Sequence, residues 1–254
     1  KIAVVQGNID QYKKWDSTYE EEIVRSYSTL TSKAETQHPA LIVWPETAVP
    51  GWIPNDAHYT QWIQEIAKES RAHLLVGAVT HQEDNRDYNA AFLFSPNGEI
   101  LGEYLKRHLV PFGEYIPLRR FLSPFINVVN EVGSINEGPG ATILTLPGAT
   151  LGVSICFEGL FPRLIAGFAQ NGAQILVNIT NDGWYRRTAA PEQHFAASVL
   201  RAVENRRWVV RAANTGYSGF ISPRGEIVAK TNLMEPAVLI GEPVPMNVLT
   251  FYSR

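Results

Sequence analysis

One cysteine in 254 residues rules out an intramolecular disulfide, so no covalent cross-link staples this chain. A lone thiol fits a reducing compartment and equally an oxidising one in which it stays unpaired. No run of about 18 apolar residues occurs, which excludes a membrane-spanning helix within the sequence. Charge of neither sign dominates: 22 Lys and Arg against 25 Asp and Glu leave a net charge of -3, with no basic stripe, which argues against nucleic acid as a partner. His194 with Glu192, and His81 with Glu83 and Asp84, have no companions at metal-ligand spacing and read as capping or solvated groups. Gly138-Pro139-Gly140 reads as a turn, and no phosphate-binding loop is present. Neither a metal nor an organic cofactor is implied. The chain opens without an initiator methionine or signal peptide, on KIAVVQGNI, which is already strand-like; a processed protein or an excised domain has this form.

What is present is ordinary globular material: 45% hydrophobic and 19% charged residues, with six Trp, eleven Phe and ten Tyr for core and pockets. IAVVQ (2–6), LIVW (41–44) and HLLVGAVT (73–80) are apolar runs of strand length. Between them, Ser17 with Glu20 forms a capping-box pattern, and Ile23, Tyr27, Leu30 and Ala34 recur at helical spacing, so a helix is expected at about 17–36. Asn55 or Asp56 caps a second helix whose apolar face holds Trp62, Ile63, Ile66 and Ala67. A hairpin, AAFLFSPNGEILGEY, turns on Ser-Pro-Asn-Gly, and GFISPRGEIVAK (219–230) repeats that construction. Between the two lie LGVSICFE (151–158), a helix at 160–170, AQILVNIT (173–180), a helix at about 191–206 and WVVRAAN (208–214). Strands alternating with helices predict an α/β fold of stacked layers in one domain, 1–254. The stretch 107–140 lacks clear regular structure yet is rich in Phe, Leu, Ile and Val. It reads either as a locally packed excursion or as a lid or binding surface for something apolar.

Three residues with chemistry stand at or just past the ends of apolar strands, where α/β folds converge side chains into a crevice. Glu46 follows LIVWP, Lys106 follows ILGEYL, and Cys156 lies near the end of LGVSICF. Each has a plain structural reading: a small buried hydrophobe, a solvated loop carboxylate, an edge-strand lysine. Each also has a chemical one. A thiol is mostly protonated at neutral pH and needs a base or a nearby cation to act as nucleophile. Glu46 beside tryptophan and proline supplies that base if burial raises its pKa towards neutrality. Lys106 supplies an ammonium for an oxyanion. Glu114, eight residues on, either keeps Lys106 charged or orients Glu46, and spacing does not rank these roles. Asn181 and Trp184 sit at the end of ILVNIT in a stretch that also suits a turn, and His108 reads as structural.

WPE (44–46), LKRHLVPFGEYIPL (105–118), SICFE (154–158) and NITNDGWY (178–185) resemble the carbon–nitrogen hydrolase (nitrilase) superfamily over nearly the whole chain. The resemblance implies an αββα four-layer sandwich with a Glu-Lys-Cys triad: Glu46 as general base, Lys106 as oxyanion partner, Cys156 as nucleophile. Within that superfamily, KRHLVPFGEYIPL, the KW at 14–15, the apolar excursion after Pro117 and R-x2-E-N-x-R-W-V-V-R-A-A-N at 201–214 are similar to the apolipoprotein N-acyltransferase branch. That branch implies acyl transfer from a phospholipid, through a Cys156 thioester, to the α-amine of a diacylated lipoprotein, at the periplasmic face of a bacterial inner membrane. Glu114 and Glu158 are then supporting carboxylates, and the Phe157 backbone N–H a second oxyanion donor. Trp15, Asn181 and Trp184 handle substrate, and the apolar loop contacts lipid.

Two departures stand out. The branch surrounds this domain with membrane helices that this sequence does not contain, so the chain is either an extramembrane domain or a soluble relative. Many members also have tyrosine where Phe157 stands, which removes a hydroxyl but leaves the backbone donor. Two rival readings keep the fold: a soluble amidase acting on small C–N substrates, and a catalytically silent scaffold. Retention of Glu46, Lys106 and Cys156 argues against the silent scaffold, and the lengthened lysine loop favours the lipid enzyme.

Overall fold

Strand β1 (Ile2–Gln6) is buried on both faces: Ile2 and Val4 enter one apolar cluster, Ala3 and Val5 another. β2 (Leu41–Val43) divides likewise, Leu41 and Val43 to one side and Ile42 to the other. Strands covered on both sides read as unbroken apolar runs rather than as alternation, which is why LIVW and IAVVQ are legible as strands. The computed structural model describes residues 1–14, 16–111, 113–115, 135–185 and 187–254.

Two six-stranded mixed sheets result. The first runs in the order β12 (Ala237–Gly241), β1, β2, β3 (His73–His81), β4 (Asp87–Phe94), β5 (Ile100–Leu105). The second runs β11 (Ile227–Lys230), β10 (Gly219–Ile221), β9 (Trp208–Ala213), β8 (Ile175–Thr180), β7 (Ala149–Ile155), β6 (Ile143–Leu146). In each, three central parallel strands are flanked by antiparallel neighbours. Helices α1 (Glu20–Glu35) and α2 (Ala57–Ser70) cover the outer face of the first sheet with Ile23, Tyr27, Ile63 and Ala67. Helices α3 (Pro162–Gln170) and α4 (Ala190–Asn205) bring Ile165, Phe168, Phe195 and Ala202 to the second. Ile2, Val4, Leu41, Val43 and Leu75 share a cluster with Leu151, Val153 and Ile155 of the other sheet, so the sandwich is αββα, as expected.

The two sheets have one wiring. β1-α1-β2-α2-β3-β4-β5 and β7-α3-β8-α4-β9-β10-β11 each place three parallel strands before a hairpin, and the repeated Ser-Pro-x-Gly-Glu marks the same turn in both. Gly98 and Gly225 donate to the carbonyls of Ser95 and Ser222 at 2.9 Å each, and both have positive φ, 82° and 86°. Each hairpin is therefore a type I turn closed by a left-handed residue that glycine adopts without a Cβ penalty.

One local expectation is corrected. Asp16, not Ser17, caps the first helical segment: its carboxylate accepts from Thr18 N at 2.9 Å, because a 3-10 turn at Ser17–Tyr19 starts the helix one residue early. Of the two candidate caps of α2, Asp56 takes the role through His58 N, whereas Asn55 pairs with the backbone of His81. Cys156 lies just past its strand, as expected, at the first position of a 3-10 turn (Cys156–Leu160). β6 and β12 had no sequence signal of their own; both are edge strands, paired antiparallel to β7 and β1.

Gly77 in β3 lies against the turn that carries Glu46. A Cβ there would stand 2.3 Å from Pro45 O and 2.7 Å from Glu46 Cα. Gly77→Ala should therefore lower stability by about 1–3 kcal/mol through overpacking. Urea midpoints measure this, and an unchanged midpoint would show that the Glu46 turn yields freely.

Candidate active site

Glu46 follows β2 on a turn pinned to β3: Trp44 N donates to Leu75 O and Ala48 N to Gly77 O, each at 2.8 Å. Thr47 takes a left-handed φ of 45° to make the corner. The carboxylate is buried. Its Oε1 accepts from Asn89 Nδ2 at 2.7 Å and Lys106 Nζ at 3.2 Å, and its Oε2 from Asn181 N at 2.8 Å. Lys106, also buried, extends β5 by one residue; its N–H bonds Asn89 O and its carbonyl accepts from Gly138 N. Its ammonium donates to Glu114 Oε1 at 2.8 Å as well. Glu114 Oε1 takes Asn89 Nδ2 at 3.0 Å and Oε2 takes Val110 N at 2.9 Å. Glu114 thus bonds the lysine, and Asn89 bridges the two carboxylates.

Burial alone pushes the Glu46 carboxyl up, but Lys106, the Asn89 bond, Lys14 and the Asn181 amide outweigh it, and the group lies below its ordinary value. The expectation that burial would bring Glu46 towards neutrality is therefore corrected: the ammonium wins over desolvation. Lys106 shows the converse. Burial lowers it, yet Glu46, Cys156 and Glu114 hold it well above the usual lysine range. Cys156 is pushed up to about 12, by burial and by Glu46, against the lowering effects of Lys106 and the Thr180 hydroxyl. The resting centre is a protonated thiol facing a carboxylate–ammonium pair.

Cys156 has φ 54°, a strained conformation for a residue with a side chain. Its carbonyl is held by Asn178 Nδ2 at 3.3 Å and by His194 Nε2 at 3.1 Å. His194 Nδ1 bonds Asp182 Oδ1 at 3.0 Å, and Asp182 Oδ2 receives Arg211 at 2.9 Å. His194 is thus neither a solvated group nor a cap; it is a buried tie between Asp182 and the cysteine's backbone. Glu158, fully buried, accepts from Ile155 N (2.8 Å), Arg107 N (2.7 Å), His108 N (3.0 Å) and the Tyr104 hydroxyl (2.9 Å), so it joins the thiol's turn to the lysine's strand.

Glu46, Lys106, Glu114, Cys156 and Asn181 thus share one electrostatic and hydrogen-bonding network, with Glu158 bracing it from below. Phe157 is half-buried and packs edge-on against Phe161 at 5.1 Å. The Trp184 ring is 69% exposed and donates no bond into the network, in contrast to Asn181 beside it. Trp15 lies outside the described residues, as do 116–134 of the apolar stretch at 107–140.

Sequence reasoning missed Lys14, Asn89, Asp182, Arg211 and Tyr185. Arg211 and Asn89 had a usable signal: each is a polar residue inside an otherwise apolar strand, where a buried charge or amide demands a partner. Tyr185 is raised by burial and by the neighbouring charges of Cys156, Asp182 and Glu46.

Strand-end carboxylate, ammonium and thiol gathered in a two-sheet α/β sandwich define an enzyme rather than a structural module. The chain belongs to the carbon–nitrogen hydrolase family, matching that description over residues 1–247. Among curated proteins it is 42% identical to an apolipoprotein N-acyltransferase of Geobacter metallireducens, across 100% of this chain and 50% of that protein. It is 35% identical to one of Pseudomonas putida with the same coverage. The chain therefore spans about half the length of the curated relatives it matches. Among solved structures, an amidase from Nesterenkonia sp. shares the fold with a TM-score of 0.71 at 19% identity, over 99% of this chain and 91% of that one.

Asp182 generates a pH prediction. Burial raises its carboxyl, but Arg211 and His194 outweigh burial and bring it down to about 2. A group depressed on folding stabilises the protein above the ordinary aspartate value near 3.9 and loses that contribution as pH falls towards 2, about 2 kcal/mol in all. Urea midpoints at pH 5 and pH 2.5 should converge in Asp182→Asn relative to the parent; equal pH slopes in both proteins would refute the assignment.

Proposed function

We propose that this chain is the acyl-transferring domain of a lipoprotein N-acyltransferase. Cys156 takes an acyl chain from a phospholipid and passes it to the α-amine of a diacylglyceryl-cysteine at a lipoprotein's N-terminus. The observation that carries this reading is the buried Glu46–Lys106–Cys156 network, in a chain whose relatives bear that name along the whole aligned length.

The thiol and Glu46 differ widely in proton affinity, so the proton moves as the sulfur attacks, not before. Glu46 takes the thiol proton; the S–C bond forms at the ester carbonyl, and the carbonyl oxygen becomes an oxyanion facing the Lys106 ammonium. The transfer replaces a Glu46⁻–Lys106⁺ pair by a pair between Lys106⁺ and the new negative charge, so the buried cluster's net charge is unchanged. The Phe157 N–H, in the first turn of the 3-10 segment where amides lack an intrahelical partner, is the second donor. Collapse breaks the ester C–O bond, and Glu46 returns the proton to the departing lysophospholipid. In the second half the lipoprotein amine attacks the thioester, gives its proton to Glu46, and the sulfur leaves and recovers it. Glu114 keeps Lys106 engaged, Glu158 holds the thiol turn against the lysine strand, and Asn181 orients Glu46. Trp184 and Trp15 contact the lipid substrates, and the apolar stretch at 107–140 excludes water from the thioester.

Such an enzyme works at the extracytoplasmic face of a bacterial inner membrane. No helix among the described residues is long and apolar enough to cross one; contact with the membrane is through the apolar stretch at 107–140 or through membrane helices outside this sequence.

Incubation with phospholipid vesicles should add one acyl mass to Cys156, seen by intact mass and abolished in Cys156→Ala. Lys106→Met should slow its formation by about 10²–10³-fold, the cost of losing one oxyanion donor. Ammonia release from small amides without an acyl adduct would replace this reading with an amidase.

A further inference from the structure

Lys14 has no part in the triad, yet it is as deeply buried as Lys106. Its Nζ donates to Glu46 O at 2.9 Å and to Thr47 Oγ1 at 2.8 Å, so one ammonium spans the left-handed corner that aims the Glu46 carboxylate. Its charge acts on both Glu46 and Cys156. The nearest ionisable groups are unequal in sign. Glu46 and Glu114 are two carboxylates against one ammonium, Lys106, an excess of one negative charge before the thiol reacts. Asp182 is paired with Arg211 and His194, and Tyr185, raised above its ordinary value, stays neutral. A second cation is what balances the resting set.

We propose that Lys14 is a positioning residue that holds the Glu46–Thr47 corner and supplies the second positive charge against which Cys156 ionises. The inference rests on Cys156 being the nucleophile, but not on which acyl group it carries. Burial brings Lys14 down to about 7, with Glu46 and Cys156 pulling the other way. An amine in that range keeps both hydrogen bonds whether protonated or not, since a neutral amine still has two N–H donors. The corner therefore stays in place in either protonation state.

Alkylation of Cys156 by iodoacetamide as a function of pH tests this without any lipid substrate. At pH 6–7, where Lys14 carries charge, the alkylation rate in Lys14→Met should fall by up to about tenfold, the lower end of what an opposite charge contributes. Well above pH 7 the amine is neutral in the parent as well, and the two rates should converge. Lys14→Arg should recover most of the loss. Equal rates at pH 6–7 in Lys14→Met and the parent, with near-ultraviolet dichroism intact, overturn the proposal and leave the nucleophile reading standing. No alkylation of the parent chain at any pH instead removes the nucleophile reading, and this one with it. If Lys14→Met does not fold, the side-chain nitrogen NMR titration of Lys14 in the parent decides. A midpoint near 7 supports the proposal, and titration in the ordinary lysine range overturns it.

Discussion

One buried ammonium shared by a buried carboxylate and a half-buried one governs this structure. Removing such charges from water costs several kcal/mol each unless they are paired and hydrogen-bonded. Here Lys106 bonds Glu46 and Glu114, Asn89 joins the two carboxylates, and backbone amides of Asn181 and Val110 take the remaining oxygens. The outcome is an ion pair too tightly held to titrate near neutrality, next to a thiol that burial keeps protonated.

The thiol is placed by its backbone. A cysteine with φ 54° is held in that conformation by its surroundings, and here its carbonyl is tied to Asn178 and His194, with Asp182 and Arg211 behind them. Glu158 does the complementary work across the molecule. By accepting from Ile155 N, Arg107 N and His108 N it fixes the end of a strand in one sheet against the end of a strand in the other.

The site therefore sits on the seam of the sandwich. Lys14, Glu46, Asn89 and Lys106 come from the first sheet and its turns, and Cys156, Asn178, Asn181 and Asp182 from the second. The bond from Asn181 N to Glu46 Oε2 crosses that seam directly. Packing of Ile2, Val4, Leu41 and Val43 against Leu151, Val153 and Ile155 brings these groups together, so fold stability and site geometry are one property. The common wiring of the two sheets explains the paired hairpin turns, whereas the chemistry is divided unequally between the halves.

The strands and helices were readable from the chain because apolar runs covered on both faces and helical repeats of Ile, Tyr and Ala are local patterns. Glu46, Lys106 and Cys156 stood out for a similar reason: each ends such a run. What required tertiary structure was everything decided by net electrostatics or by long-range pairing. Glu46 beside tryptophan and proline promised a raised pKa; the nearby ammonium reverses the sign, and sequence spacing contains no distances. Edge strands β6 and β12 exist by pairing with neighbours, Lys14 stands in the sequence only within the Lys-Trp pair at 14–15 and meets the Glu46 corner only in the fold, and His194 becomes a backbone tie only when α4 packs beneath the thiol. Local pattern determines which segments form; burial and opposing charge, which depend on all of the segments at once, decide what their side chains can do.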